Sequence, residues 1–205
     1  MKISVALAAY NGEKYIGEQI ESILPQLGRD DEIVVSDDNP AGKTRAAVEF
    51  YSAYDGRVRY VEGTGEGVCR NFENAILNCS GDVIFLCDQD DVWLPNKVER
   101  VMKAIENGAD VVLHDAMMTD GELNVTDESF FSLNGSKRGF VRNFLKNSYM
   151  GCCMAFRRDF EPAFMPFPKD LAMHDWWIGL NAELKGKVEF IYEPVSYTHL
   201  TLPTT

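Results

Sequence analysis

The stretch Val83-Ile84-Phe85-Leu86-Cys87, followed at once by Asp88-Gln89-Asp90-Asp91, decides how this sequence is read. Five consecutive apolar residues with no alternation mark a strand covered on both faces, as strands of a parallel sheet are. Working upstream, Ile3–Ala9 reads as a first strand. Ile16, Ile20, Ile23 and Leu24 share one helical face that stops near Pro25. A second strand at 33–36, a helix at 44–51 and a third short strand at 58–61 follow. Val68, Phe72, Ala75 and Ile76 then mark the helix that leads into the central run. Downstream, Val98, Val101, Met102 and Ile105 form another helix face, and residues 111–113 another strand. This alternation predicts an α/β fold with a mostly parallel central sheet flanked by helices.

The second half is less regular. Residues 115–150 mix Gly, Asn, Ser and Asp, and read as loops plus one helix at 140–146. A strand at 152–156, a helix at 174–183 and a last strand at 188–192 complete the pattern. With 205 residues the chain suits one domain. No apolar run is long enough to span a bilayer. Met1 to Ala9 carries one lysine before its apolar run and continues straight into Tyr10-Asn11-Gly12, so it reads as a buried strand rather than a signal peptide.

A formal net charge of −12 argues against nucleic acid as a partner, since that binding rests on phosphate neutralisation by Lys and Arg. The same charge argues against anionic membrane surfaces. A chain so acidic needs a local cation to hold a phosphorylated ligand. Its five cysteines (Cys69, Cys79, Cys87, Cys152, Cys153) contain no C-x-x-C pair and read as buried, reduced thiols.

Ligands of open parallel sheets bind beyond the carboxyl ends of the strands. The first strand delivers Ala9-Tyr10-Asn11-Gly12 there, the second Asp37-Asp38-Asn39, and the central one Asp88-Gln89-Asp90-Asp91. Taken singly, each of these acids is an ordinary helix-capping residue. Gathered on one rim they would repel one another unless a cation joined them, and Mg²⁺ or Mn²⁺ suits such hard oxygen donors. The glycines at 63, 65 and 67 lack the dinucleotide spacing, and no Walker lysine loop is present.

These segments, with Arg70-Asn71, Asp88-Gln89-Asp90-Asp91-Val92-Trp93-Leu94-Pro95-Asn96-Lys97, Gly151-Cys152 and His174-Asp175-Trp176, resemble the inverting family-2 glycosyltransferases of the GT-A fold. The likeness runs in order over residues 2–194. The Asp-Gln-Asp-Asp-x-Trp run with a late His-Asp-Trp is most similar to the rhamnosyltransferase-like branch, which uses dTDP-rhamnose. The resemblance implies one GT-A domain over residues 1–194, with a nucleotide-sugar half at 1–113 and an acceptor half at 114–194. It implies a cytoplasmic enzyme of cell-surface polysaccharide synthesis, peripheral to the inner face of the membrane as a second option. Its donor would be a dTDP- or UDP-sugar, and its acceptor a saccharide or lipid-linked saccharide.

The same resemblance assigns roles to single residues. Ala9, Tyr10, Asn11 and Asp38 fall in the nucleotide-sugar site, with Tyr10 and Asp38 on the nucleobase. Asp88 and Gln89 face ribose and phosphates, and Arg70 or Asn71 lies near the donor. Asp90 binds the metal. Asp175 takes the proton of the acceptor hydroxyl, although it is also a typical first-turn helix acid. Asp115, His174 and Trp176 are expected in the acceptor cleft, while Trp93 and Pro95 fix the loop after the central strand. Two departures stand out: Pro40-Ala41-Gly42 replaces a Ser-Thr turn, and Tyr197-Thr198-His199 replaces a Tyr-Arg-x-His-Gly segment. Residues 195–205 are therefore expected to form an aberrant or truncated tail. Two rival readings are a non-catalytic sugar-nucleotide-binding module and a haloacid-dehalogenase-like phosphatase with Asp88 as nucleophile.

Overall fold

The computed structural model describes residues 1–120 and 124–198. In chain order these form β1 (Ile3–Ala9), α1 (Ile16–Ile23), β2 (Glu32–Asp37), α2 (Thr44–Tyr54), β3 (Val58–Glu62), α3 (Val68–Asn78), β4 (Val83–Asp88), β5 (Val92–Trp93) and α4 (Lys97–Glu106). The second half adds β6 (Val111–Thr119), β7 (Val125–Asp127), α5 (Phe130–Asn134), α6 (Phe140–Leu145), β8 (Met154–Arg157), α7 (His174–Lys185) and β9 (Val188–Thr198). Short 3₁₀ turns at Leu24–Gln26, Gly151–Cys153 and Arg158–Ala163 join some of them.

One mixed sheet carries the order β3-β2-β1-β4-β8-β6-β9-β5, with β7 hydrogen-bonded to β6. Strands β3, β2, β1 and β4 pair in parallel, as the alternating pattern predicts. Strand β8 is antiparallel to both β4 and β6, and β9 is parallel to β6. Hence β1, β2, β4, β6 and β9 all point the same way, and their carboxyl ends share one rim. The antiparallel insertion of β8 is what the local pattern does not disclose.

The uninterrupted apolar run of β4 is explained by two cores. Val83, Phe85 and Cys87 face one side, with Ile3, Val5, Leu7 and Ala9 of β1, Ile16, Ile20 and Ile23 of α1, and Val98, Val101 and Ile105 of α4. Ile84 and Leu86 face the other, against Phe72, Ala75 and Ile76 of α3 and Ile178 and Ala182 of α7. Each such side chain contributes about 1.5–3 kcal/mol on burial, so β1 and β4 form a rigid floor for whatever their ends carry.

Several elements differ from expectation. Cys152 and Cys153 lie in a 3₁₀ turn rather than a strand. Strand β6 runs on past residue 113 to Thr119, and β9 runs on through Thr198, where Tyr197 and Ser196 pair with Val92 and Trp93 of β5. Residues 195–198, expected to begin an aberrant or truncated tail, belong to β9; 199–205, with His199, lie outside the described residues. Helix α5 is bounded by Ser129, whose hydroxyl accepts from Ser132 N at 3.0 Å, and by Gly135 in the left-handed conformation. All five cysteines are free and buried, as their context predicts.

Gly179 shows how closely α7 is seated. A Cβ there would lie 2.3 Å from the ring of Tyr149, which is itself buried and hydrogen-bonded through its hydroxyl to Glu183. On an open helix, Gly→Ala gains up to about 1 kcal/mol. Here we expect Gly179→Ala to lower stability by about 2 kcal/mol through overpacking. Thermal melts check this, and a melting temperature at or above that of the unsubstituted protein would show that Tyr149 yields freely.

Candidate functional site

The carboxyl ends of β1, β2 and β4 open into a cleft of about 480 Å³ lined by Ala8, Ala9, Tyr10, Asp38, Gly65, Gly67, Val68, Asn71, Asp88, Gln89 and Asp90. Seven of these lie in the segments singled out from the sequence; Ala8, Gly65, Gly67 and Val68 do not. Each wall is held by hydrogen bonds that close between distant segments.

Asp38 organises one wall. Its Oδ1 accepts from Gly65 N and its Oδ2 from Gly67 N, both at 2.8 Å. The loop can present these amides because Gly65 (φ 72°) and Gly67 (φ 91°) adopt conformations that L side chains rarely take. The signal for this loop lay in the closely spaced glycines at 63, 65 and 67, whose backbone amides a carboxylate can gather. Asn71 is buried: its Nδ2 donates to Ala9 O (3.0 Å) and Ser36 O (2.9 Å), and its Oδ1 accepts from Ser36 Oγ (2.6 Å). It clamps the ends of β1 and β2 beside the cleft.

On the opposite wall, Gln89 Oε1 accepts from Tyr10 N at 2.8 Å and Gln89 Nε2 donates to Tyr10 O at 3.1 Å. The amide of Gln89 is therefore committed to joining the exits of β1 and β4. Tyr10 is left 59% exposed, its ring free to meet a ligand face. Asn11 (φ 51°) sits just beyond, its Oδ1 accepting from Asn39 Nδ2 at 2.8 Å, and does not line the cleft.

The floor is acidic. Burial pushes the Asp88 carboxyl well above the ordinary range, and Asp91, Asp90 and Asp175 push it further. Asp91 is raised to about 6 by burial, although the Lys97 ammonium pulls it down. Lys97 is fully buried, donating to Cys152 O at 3.0 Å and lying 4.2 Å from the centre of the Trp93 ring. Among the described residues, Asp88, Asp91 and Cys152 bring potential ligand atoms within 4.8 Å of one another. The Cys152 thiol is held protonated by Cys153, by burial and by the two aspartates, so it makes a poor partner for a hard cation. Asp91 faces Lys97. Asp88 and Asp90 line the cleft, and carboxylate oxygens are the donor type that Mg²⁺ or Mn²⁺ takes.

Asp175 opens α7 and lies close enough to raise the Asp88 carboxyl by charge repulsion. Its Oδ1 accepts from Trp176 N at 2.6 Å. Burial raises the carboxyl to about 6, against hydrogen bonds from Trp176, Asn147 and Gly151 that lower it. A buried carboxylate titrating there is suited to accept a proton near neutrality.

Four other expected site residues hold the fold through the following contacts. Arg70 points away from the cleft: it pairs with Glu73 and donates to Phe167 O, Pro168 O and Lys169 O, tethering that segment to α3. Asp115 is buried and satisfied, accepting from Ala116 N, Phe131 N and Ser129 Oγ, and so pins the start of α5. Because β6 continues to Thr119, Asp115 is not a strand-end residue at all. His174 is buried and stacks on Phe72 with ring centres 4.1 Å apart; burial lowers its imidazole to about 4, keeping it neutral. Trp176 donates from Nε1 to Asn143 O and joins α7 to α6. None of these four lines the cleft.

Comparisons with known proteins agree with this architecture. The dTDP-rhamnosyl transferase RfbG of Shigella flexneri is 26% identical over 188 residues, covering 84% of this chain and 63% of that protein. The S. aureus TarS structure (residues 1–349, in complex with UDP-GlcNAc) superposes with a TM-score of 0.75 at 19% identity, covering 98% of this chain and 59% of that one. The mannosyltransferase PcManGT from Pyrobaculum calidifontis, in complex with GDP-Man and Mn²⁺, gives 0.71 at 18% identity, covering 98% and 57%. The chain spans about two fifths of the length of several other curated relatives. The fold is GT-A, and the family described as Glycosyl transferase family 2 matches residues 4–162. A phosphatase reading of Asp88 falls with that match: this chain belongs to glycosyltransferase family 2.

Proposed function

We propose that this domain transfers a sugar from a nucleotide-sugar donor to a hydroxyl of a saccharide or lipid-linked saccharide by inverting single displacement, in cell-surface polysaccharide synthesis. The observation that carries the reading is the convergence of Asp88, Asp90 and Asp175 at the carboxyl end of β4, beside a cleft floored by β1 and walled by the Asp38 loop. Rhamnose from dTDP-rhamnose is the donor we favour, because the likeness to RfbG covers most of the chain. UDP-sugars are the next choice, given the donor bound to TarS. The donor half reads as residues 1–113 and the acceptor half as the rest from 114, which β9 carries past the expected end at 194 to Thr198. Its place is the cytoplasm, at the inner face of the membrane; among the described residues no helix is long and apolar enough to cross one.

In this reading Tyr10 covers the base and the Asp38 loop shapes its pocket. Asp88 and Asp90 hold a divalent cation, which when bound neutralises charge on the departing diphosphate. Gln89 and Asn71 act one step back, fixing the strand exits, and Arg70 acts further away by holding residues 167–169. Asp175 accepts the acceptor proton as the hydroxyl oxygen attacks the anomeric carbon from the face opposite the diphosphate.

Removing the two acids should give different losses. Asp90→Ala should weaken donor binding and rate together. Asp175→Asn keeps shape but cannot take a proton, so kcat should fall roughly 10²–10⁴-fold with donor affinity nearly unchanged. Steady-state kinetics with calorimetric donor titrations separate these outcomes. Full turnover by Asp175→Asn would remove it from the chemistry, and donor binding without turnover in the unsubstituted domain would favour a binding module.

The raised carboxyl of Asp175 also couples to pH. A carboxyl with a folded pKa above its unfolded value favours the fold when protonated, so its ionisation costs stability as pH rises from about 4 through 6. The cost is on the order of 3 kcal/mol. Turnover should therefore climb through about pH 6 and level off above it. In thermal melts Asp175→Asn should exceed the unsubstituted protein at pH 7.5 and lose that advantage by about pH 4. Equal melts at both values would mean that burial does not strain this group.

A further inference from the structure

Although the chain carries a net charge of −12, its charge is not evenly spread. Residues 129–158 contain six of the 20 Lys and Arg and none of the 32 Asp and Glu. Within this window α6 exposes Val141 (72%), Phe144 (60%) and Leu145 (78%). The i, i+3, i+4 spacing sets them on one helical face, while Asn143 is buried on the opposite side. Leu133 of α5 is exposed as well, and α5 abuts α6: Arg142 donates to Gly135 O and Lys146 to Asn134 O.

The cations around this apolar face are short of carboxylates. Arg138 pairs with Glu189 at 3.7 Å. Arg142 and Lys146 hydrogen-bond only to backbone carbonyls, and among the described residues Lys137, Arg142 and Lys146 form no ion pair. Glu183 of α7 is engaged by Gly139 N and Tyr149 OH. Exposed aromatic and aliphatic side chains ringed by unpaired Lys and Arg match a bilayer interface of anionic lipid, where the ring groups enter the headgroup region and the cations meet phosphates. An acidic protein partner would meet the cations but leave Phe144 and Leu145 no apolar layer to enter.

We propose that the exposed face of α5 and α6 docks the domain on an anionic lipid surface. Trp176 Nε1 donates to Asn143 O and so ties α6 to α7, whose first turn carries Asp175. The proposal gives a contact surface to the peripheral placement above and does not depend on the transferase reading, since lipid binding needs neither donor nor turnover.

Sedimentation with sucrose-loaded vesicles tests it on the whole chain. The protein should pellet with phosphatidylcholine–phosphatidylglycerol vesicles and stay in solution with phosphatidylcholine alone. Phe144→Ser with Leu145→Ser, and separately Arg142→Glu with Lys146→Glu, should each reduce that binding roughly tenfold or more. Melting temperatures measured alongside identify any variant that loses binding through its fold: Phe144→Ser with Leu145→Ser should melt as the unsubstituted protein does, while Arg142→Glu with Lys146→Glu gives up the two bonds to Gly135 O and Asn134 O and should melt slightly lower but still cooperatively. Donor titrations on the same samples keep the two readings apart: a domain that binds donor but no vesicle overturns only the docking surface. Vesicle binding that survives both double variants overturns it too. So does a solution dimer that the Ser variants dissolve, which would assign this face to a second copy.

Discussion

Like-charge repulsion at the exit of β4 is the constraint on which the rest of the site depends. Asp88, Asp90 and Asp91 follow one another on a single turn, and Asp175 approaches from α7. The fold answers half of that crowding itself. Lys97, one turn further along the chain and fully buried against Trp93, offsets Asp91 from behind. Burial and the neighbouring acids raise the Asp88 carboxyl, and Asp88 and Asp90 both line the cleft. A buried carboxylate that lacks a counter-charge either takes a proton or takes a cation. Burial of Asp175 poses the same choice: its carboxyl, raised to about 6, is protonated below that pH and ionised above it.

Much of this was legible from residue order alone. The unbroken run of β4 and the acids at its end specify a doubly covered strand with a charged exit, and both features depend on local sequence. The helices from α1 to α4 followed from their apolar period for the same reason. What escaped was long-range or short. Strands β5 and β7 have two and three residues, too few for any period to show, and they exist because β9 and β6 offer them edges. The antiparallel entry of β8 is set by packing between distant segments.

Site residues divided along the same line. Asp115 follows a three-residue apolar run and so looks like the acids of β2 and β4, yet β6 continues beyond it and turns it into a structural anchor. Arg70 lies next to Asn71 in sequence, but neighbouring helical positions face different ways: Asn71 clamps the strand ends and Arg70 holds a segment nearly a hundred residues away. Charge shows the limit most plainly. A total of −12 suggests a chain that avoids anionic surfaces, while the acid-free stretch at 129–158 reverses that sign locally.

The account stands or falls on whether the cleft acids need a cation to accept a diphosphate. Calorimetric titration of dTDP- and UDP-sugars in Mg²⁺ or Mn²⁺, repeated in EDTA, measures this directly. Binding is expected with the divalent ion and its loss with EDTA, since carboxylates crowded at the exit of β4 would repel the phosphates. Equal affinity in both conditions would contradict this, and would mean that the cleft accepts a diphosphate without a metal.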